Sequence, residues 1–278
     1  MANKKSIHIV SLWLLFLFLP GMSGISAGNT SVELTLICRE DLSELASSFM
    51  RGFLTERPEL KAAVKTFKDE KALAAFRKEL PGALIIKDNI GDDGKFSVPG
   101  GDFRMLALQG LAFIVNGANP VESMSQDKIR SLLVGKIIGW KELGGTDTLV
   151  NIYVYEKSDD FSVRILKAVF PGLEKFTEKA LTVPDIENMK FVVSADRDAF
   201  GFISFSGPQM QPELRILKVD GAAPSFSGMA VRKYPFSRTV YISMPEKPSS
   251  DAKKFFEFIT GREGRAVIAR NKMFPLIR

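Results

Sequence analysis

Strand and helix signals alternate between residues 32 and 86, and this alternation narrows the possible folds more than any other feature of the chain. Residues 32–38, VELTLIC, begin as an apolar/polar alternation rich in β-formers and predict a strand. Asp41 follows as a candidate N-cap with Glu44 three residues on, and Leu42, Leu45, Phe49 and Phe53 then share one helical face up to Pro58. A weaker strand is expected at 62–67. A helix is expected at 69–80, with Leu73, Phe76 and Leu80 inward and Pro81-Gly82 as its stop. ALII at 83–86 reads as a short buried strand. Strand-helix-strand-helix-strand implies a parallel sheet covered by helices, because parallel neighbours need a crossover connection.

Beyond a Gly- and Asp-rich loop at 88–101, the alternation continues. Strands are expected at 111–115, 151–155, 201–206, 214–219 and 238–243. Helices are expected from Ser125, carrying Ile129, Leu132 and Leu133, and over 159–170, carrying Val163, Leu166 and Phe170. Two more close the chain at 249–260, with Phe255, Phe256 and Ile259 buried, and at 262–270. There is no internal repeat.

Composition removes several chemistries. The 278 residues hold one histidine, His8, and one cysteine, Cys38. His8 lies in a segment expected to be removed, so the mature chain has no imidazole for Ser-His-Asp or Cys-His catalysis or for a His-bearing zinc site. One cysteine excludes an internal disulfide and a multi-cysteine metal site. Adjacent acids such as Asp92-Asp93 are expected to be solvated rather than catalytic. No enzyme activity, metal or cofactor is therefore expected.

Residues 1–28 place Lys4 and Lys5 before an apolar run from Ile9 to Leu19, then Pro20 and the small residues Gly24, Ser26, Ala27 and Gly28. That order predicts a secretory signal, cleaved between Gly24 and Gly28, and a periplasmic destination. The run is shorter than the roughly 20 residues of a comfortable membrane span. Cys38 follows Ile37 well beyond the run, so lipidation there is not expected. The formal charge of +6 falls to +4 once Lys4 and Lys5 are lost. This modest excess suits an anionic ligand and falls short of the basic stripe of a nucleic-acid binder.

Six blocks occur in an order that resembles one family. They are LAFIVNGANPV (111–121), LLVGKIIGWKELGG (132–145), AFGFISFS (199–206), ILKVDGAAPS (216–225), YPFSRTVYISMP (234–245) and FFEFITGREGRAVIARNKMFPL (255–276). The order is similar to the phosphate-binding (PstS-like) solute-binding proteins of ABC importers. Within the blocks, Gly135, Gly144 and Gly145 read as turn residues, Trp140 as a buried loop anchor, and Tyr234-Pro235-Phe236-Ser237-Arg238 as a structural turn. The resemblance implies a two-lobed α/β, periplasmic-binding-protein-like fold with two interlobe crossovers and a ligand cleft between lobes. Residues 29–111 plus 208–278 would form one lobe and 112–207 the other. Helix N-termini facing the cleft would suit an anion.

The anion site itself departs from the family. Where a Ser-Gly-Thr helix start is expected, the chain reads Asp159-Asp160-Phe161, with Ser158 one residue off, and Tyr155 or Glu156 stands where Arg is expected. A carboxylate about 4 Å from a bound anion costs roughly 4 kcal/mol before screening, at an effective dielectric of about 20. Asp159-Asp160 also reads as ordinary helix-start charge, with Ser158 or Asp159 as the cap. In the first lobe, Arg39 is a fixed cation able to replace lost donors, and it also reads as an ion-paired surface residue. Asp88 is able to accept a proton from a protonated phosphate, and it also reads as a turn residue.

The candidate ligand residues are therefore Arg39, Asp41 and Asp88 in the first lobe and Ser158, Asp159 and Ser162 in the second. Two functions remain open. One is a monomeric solute-binding protein that takes phosphate or another small anion and delivers it to an ABC transporter permease. The other is a ligand-free interaction or sensory module on the same scaffold, acting through a partner such as a membrane sensor. The departures at 158–161 favour the second, and the intact framework around the hinge favours the first.

Overall fold

The computed structural model describes residues 32–90, 101–156, 161–205 and 211–277. The signal-peptide reading of 1–28 lies outside these residues, as does most of the 88–101 loop.

The first elements follow the expected alternation. Strand β1 (Leu34–Arg39) leads through a 3-10 turn, Glu40–Leu42, into helix α1 (Ser43–Thr55). Strand β2 (Ala62–Phe67), helix α2 (Glu70–Glu79) and strand β3 (Leu84–Asp88) come next. Strand β1 pairs in parallel with both β2 and β3. Alternation along the strands divides their side chains between two faces. Leu36, Cys38, Leu84 and Ile86 pack with Leu45 and Phe49 of α1, and Ile37 and Ile85 pack with Leu73 of α2. The side chain of Asp69 caps α2 by accepting from the Ala72 N–H at 2.8 Å.

Strand β4 (Phe103–Asn116) begins at Phe103 rather than at Leu111. Arg104 and Gln109 interrupt the apolar pattern there, and pairing with a distant strand supplies the ladder. The chain continues through β5 (Ser123–Met124), α3 (Gln126–Leu133), β6 (Asn151–Tyr155), α4 (Phe161–Val169), β7 (Leu181–Val183), α5 (Ile186–Ala195) and β8 (Ala199–Phe205). The expected strand over 214–219 is two, β9 (Leu214–Ile216) on β4 and β10 (Lys218–Val219) on β5. Helix α6 (Phe226–Ala230), strand β11 (Ser237–Ser243), helices α7 (Ser250–Thr260) and α8 (Arg262–Arg270) and strand β12 (Phe274–Pro275) complete the described chain.

The main sheet runs β2-β1-β3-β11-β4-β8-β6-β7, with β9 and β12 also on β4. It is parallel at the β2-β1-β3 end and antiparallel around β11, β4 and β8. Strand β4 meets β11 along 103–110 and β8 along 110–115. Buried side chains around Phe113, Leu132, Trp140, Leu166, Phe200 and Phe236 form one cluster; those around Leu36, Phe49, Val240, Ile242 and Phe255 form another. Trp140 anchors its loop as expected, with Nε1 donating to the Asp198 carbonyl at 2.9 Å. Gly144 takes φ +89°, a conformation that side-chain-bearing residues enter at a cost. Among the described residues no helix is long and apolar enough to cross a membrane.

Candidate functional site: a buried arginine–aspartate network

Parallel pairing brings the carboxyl ends of β1 and β3 to one end of the sheet, and with them Arg39 and Asp88. Strand β11 is antiparallel and begins at that same end. Val240 lies opposite Asp88, and Arg238, two residues earlier, lies opposite Gln109 of β4. Asp41 reaches the spot from the 3-10 turn after β1, and Arg164 from one turn into α4.

These residues form a continuous network. Arg238 donates through Nε and Nη2 to Gln109 Oε1, at 2.9 and 2.6 Å, and through Nη1 to Asp88 Oδ2 at 2.8 Å. Its Nη1 also donates to Asp41 Oδ2. Arg164 holds both oxygens of Asp88, with Nη1 to Oδ2 and Nη2 to Oδ1 at 2.9 Å each, and donates to Asp41 Oδ2 at 2.9 Å. The Ile90 backbone N–H donates to Asp88 Oδ1 at 3.1 Å. The Phe161 ring covers the Arg238 guanidinium, its centroid 4.3 Å from the guanidinium carbon.

The environment sets the charge states. Burial pushes the Asp88 carboxyl up, but the charges and hydrogen bonds of Arg238 and Arg164 outweigh it, and its pKa falls below the ordinary aspartate value. Burial alone would lower the Arg164 pKa, and the bonds and charges of Asp88 and Asp41 raise it instead. The Asp88 carboxylate and the Arg164 guanidinium thus each favour the charged form of the other. Cys38, next along β1, has its thiol pushed up to about 12 by burial and by the Asp41 charge, so it is an unreactive core side chain.

The expected residues distribute unevenly. Arg39, Asp41 and Asp88 are brought together. Arg39 turns toward Asp41, Nε to Oδ1 3.9 Å, while its Nη2 donates to the Lys68 carbonyl at 2.9 Å and its guanidinium lies over Phe67. Ser162 is buried in the first turn of α4. Ser158 and Asp159 lie outside the described residues. The expectation that Asp41 caps α1 is corrected: α1 has no side-chain cap, and the Asp41 carboxylate goes to the arginines instead. A charge-assisted bond to a buried guanidinium outweighs a cap worth about 1 kcal/mol.

Sequence reasoning missed two arginines. Arg164 carries one available signal, a cation set between the buried Val163 and Ile165 of the helix Phe161–Val169. Arg238 was read as part of a structural turn. The turn is structural, with Tyr234 and Phe236 buried and the Tyr234 hydroxyl donating to the Leu111 carbonyl at 2.8 Å, but its last residue is the hub of the network. Chemically the cluster offers guanidinium donors and one fixed carboxylate acceptor. Among the described residues no group of His, Cys, Asp and Glu is placed to hold a metal ion.

A family model described as a PBP superfamily domain matches residues 26–263. The chain belongs to the PBP superfamily. Among its relatives is the phosphate-binding protein PstS of Bacillus subtilis, 24% identical over 94% of this chain and 90% of the relative. Among solved structures, an ABC-type phosphate transport receptor from Vibrio cholerae superposes with a TM-score of 0.69 at 19% identity, covering 87% of this chain and 99% of that one. A putative phosphate ABC transporter substrate-binding protein from Clostridium perfringens, with bound phosphate, gives 0.62 at 21% identity, with coverage of 87% and 99%. These likenesses establish the mixed α/β, periplasmic-binding-protein-like fold of this PBP superfamily member. Its homologues are non-enzymatic solute-binding proteins.

Proposed function

We propose that this PBP superfamily member is an exported, monomeric solute-binding protein that takes phosphate or a close oxyanion analogue and delivers it to an ABC transporter permease. The observation that carries this reading is the convergence of Arg164 and Arg238, from elements far apart in sequence, on one buried spot beside an ionised Asp88. Guanidinium forks match tetrahedral oxyanions. An ionised carboxylate accepts from a protonated anion such as hydrogen phosphate and repels one without a proton, such as sulfate. In this reading Arg164 and Arg238 are the donors and Asp88 the acceptor. Ser162 adds a hydroxyl in the first turn of α4, Ser158 and Asp159 are proposed as further ligand residues from the sequence, and Arg39 and Asp41 adjoin the arginines.

The reading includes two lobes, 29–111 with 208–278, and 112–207, closing on the ligand by a hinge motion. It is supported by the position of Arg164 in the second segment and of Asp41, Asp88 and Arg238 in the first. Of the two largest clusters of buried residues, one draws on 34–107 and 240–277, in keeping with the first lobe, while the other draws on 108–236, so that Leu214, Leu217, Val219, Met229, Tyr234 and Phe236 pack with the second segment. The resemblance to an exported family and the signal-like leader support a periplasmic location.

A second reading, the ligand-free interaction module, is favoured by one observation: the Asp41 carboxylate already bonds both arginines. Thermal unfolding with millimolar phosphate, sulfate, molybdate and small carboxylates separates the two. A ligand at about 100 times its dissociation constant stabilises by about 2.7 kcal/mol, a shift of several degrees. The first reading expects the largest shift with phosphate. No shift with any anion selects the second.

A further inference from the structure

Asp88 and Asp41 share the same two arginines but are held very differently. Asp88 is fixed: its side chain is 1% exposed, both its oxygens accept from Arg164, and Oδ1 also accepts from the Ile90 N–H. Asp41 engages the arginines through Oδ2 alone, from a one-turn 3-10 segment, and is not tied down as a helix cap. Beside it, Arg39 Nε is buried and has no hydrogen-bond partner. That nitrogen lies 3.9 Å from Asp41 Oδ1, too far for a bond and near enough for a side-chain rotation to make one. A buried donor left without a partner is costly, so such a group needs an explanation.

Resting on the anion-site reading above, we propose that the Asp41 carboxylate is a built-in competitor for the ligand. It occupies the donors of Arg164 and Arg238 when no ligand is bound and turns onto Arg39 Nε when an oxyanion takes them. Binding is then an exchange of one anion for another. The exchange also selects the class of ligand. A monocarboxylate only reproduces what Asp41 already offers, whereas a doubly charged anion with several oxygens, such as hydrogen phosphate, engages both guanidinium groups more fully. Arg39 is a positioning residue that holds the displaced carboxylate.

The test is calorimetric titration of inorganic phosphate into the wild type, Asp41→Asn, Asp41→Ala and Arg39→Gln. Alongside it, the Arg39 Nε–H resonance is followed by NMR. Removing the competitor is expected to tighten phosphate binding roughly tenfold to a hundredfold, the worth of one charge-assisted hydrogen bond. Arg39→Gln is expected to weaken it about tenfold. In the wild type the Arg39 Nε–H resonance moves as phosphate binds. Binding by Asp41→Asn with none by the wild type also supports the exchange, and makes the natural chain self-occupied. Equal or weaker binding by the Asp41 variants, or an unmoved Arg39 resonance in a wild type that binds, overturns the exchange and leaves the anion site standing. No binding by any variant overturns both. If the Asp41 variants fail to fold, Arg39→Gln and the wild-type resonance decide.

Discussion

The sheet end that carries Asp88 and the turn that carries Asp41 place the same chemical group against the same two cations with opposite degrees of commitment. Asp88 ends a fully buried strand flanked by β1 and β11, so its backbone is fixed before its side chain is considered. Asp41 stands on a short turn, with its side chain 11% exposed and one oxygen on the arginines. A carboxylate anchored by the sheet is structural floor. One anchored by a turn is replaceable, and a protein that binds anions has use for both.

The largest expected effect tests that difference directly. Asp88→Ala leaves the buried Arg238 and the partly buried Arg164 short of a carboxylate partner and is expected to cost about 3–5 kcal/mol in denaturant unfolding. Asp41→Asn leaves Asp88 in place and is expected to cost about 1–3 kcal/mol. Equal costs would erase the distinction between floor and turn.

Acid sharpens the same contrast. The folded Asp88 carboxyl has a lowered pKa, so its stabilising contribution is complete above the unfolded aspartate value, about 3.9. It is lost as pH falls through the lower folded value. The wild type is therefore expected to lose stability steeply below about pH 4, and Asp88→Asn to lack that share. A variant whose melting temperature falls with acid as steeply as the wild type's would place the acid sensitivity elsewhere.

The legible part of this site was its local part. Arg39 and Asp88 end strands and Asp41 follows one, where α/β folds gather functional groups, and strand ends are visible as the points where apolar alternation stops. The role of Asp41 was misread because Asp41 and Glu44 satisfy a local capping pattern, and nothing nearby in sequence shows a stronger partner. Those partners, Arg164 and Arg238, lie 123 and 197 residues from Asp41 in sequence, and only the β11 register and the approach of α4 bring them in. The same reason explains β4. Residues 103–110 pair with β11, a strand more than a hundred residues later, so their strand character is tertiary. Helix α5 has a readable start, Asp185 after Pro184 capping the Asn188 N–H, but only Met189 and Val193 of its ten residues are buried, so its apolar face is narrow.

Arg164→Lys gives a smaller effect than loss of Asp88. A lysine supplies a point charge and cannot hold both oxygens of Asp88 while reaching Asp41 in the fork geometry seen here. About 2 kcal/mol of stability is expected to be lost, together with a drop in phosphate affinity of about tenfold or more, read by calorimetry. A lysine variant with unchanged affinity would remove Arg164 from the proposed ligand donors while leaving its structural bonds to the floor intact.

The smallest effect concerns the ring over Arg238. Phe161→Leu keeps an apolar group at a buried position and removes the π face, so about 1 kcal/mol is expected to be lost. Gln109 and Asp88 together hold all three nitrogens of the Arg238 guanidinium, and Asp41 shares only Nη1, which Asp88 already holds. The cost of Phe161→Leu is therefore expected to stay the same within about 0.5 kcal/mol in an Asp41→Asn background. It is expected to change in an Asp88→Asn background, where the guanidinium loses its floor and the ring no longer has a fixed cation to cover. Additivity with Asp41 together with coupling to Asp88 is the thermodynamic form of the difference between the two carboxylates. Coupling to both would mean that Asp41 helps fix Arg238 and is not free to leave it.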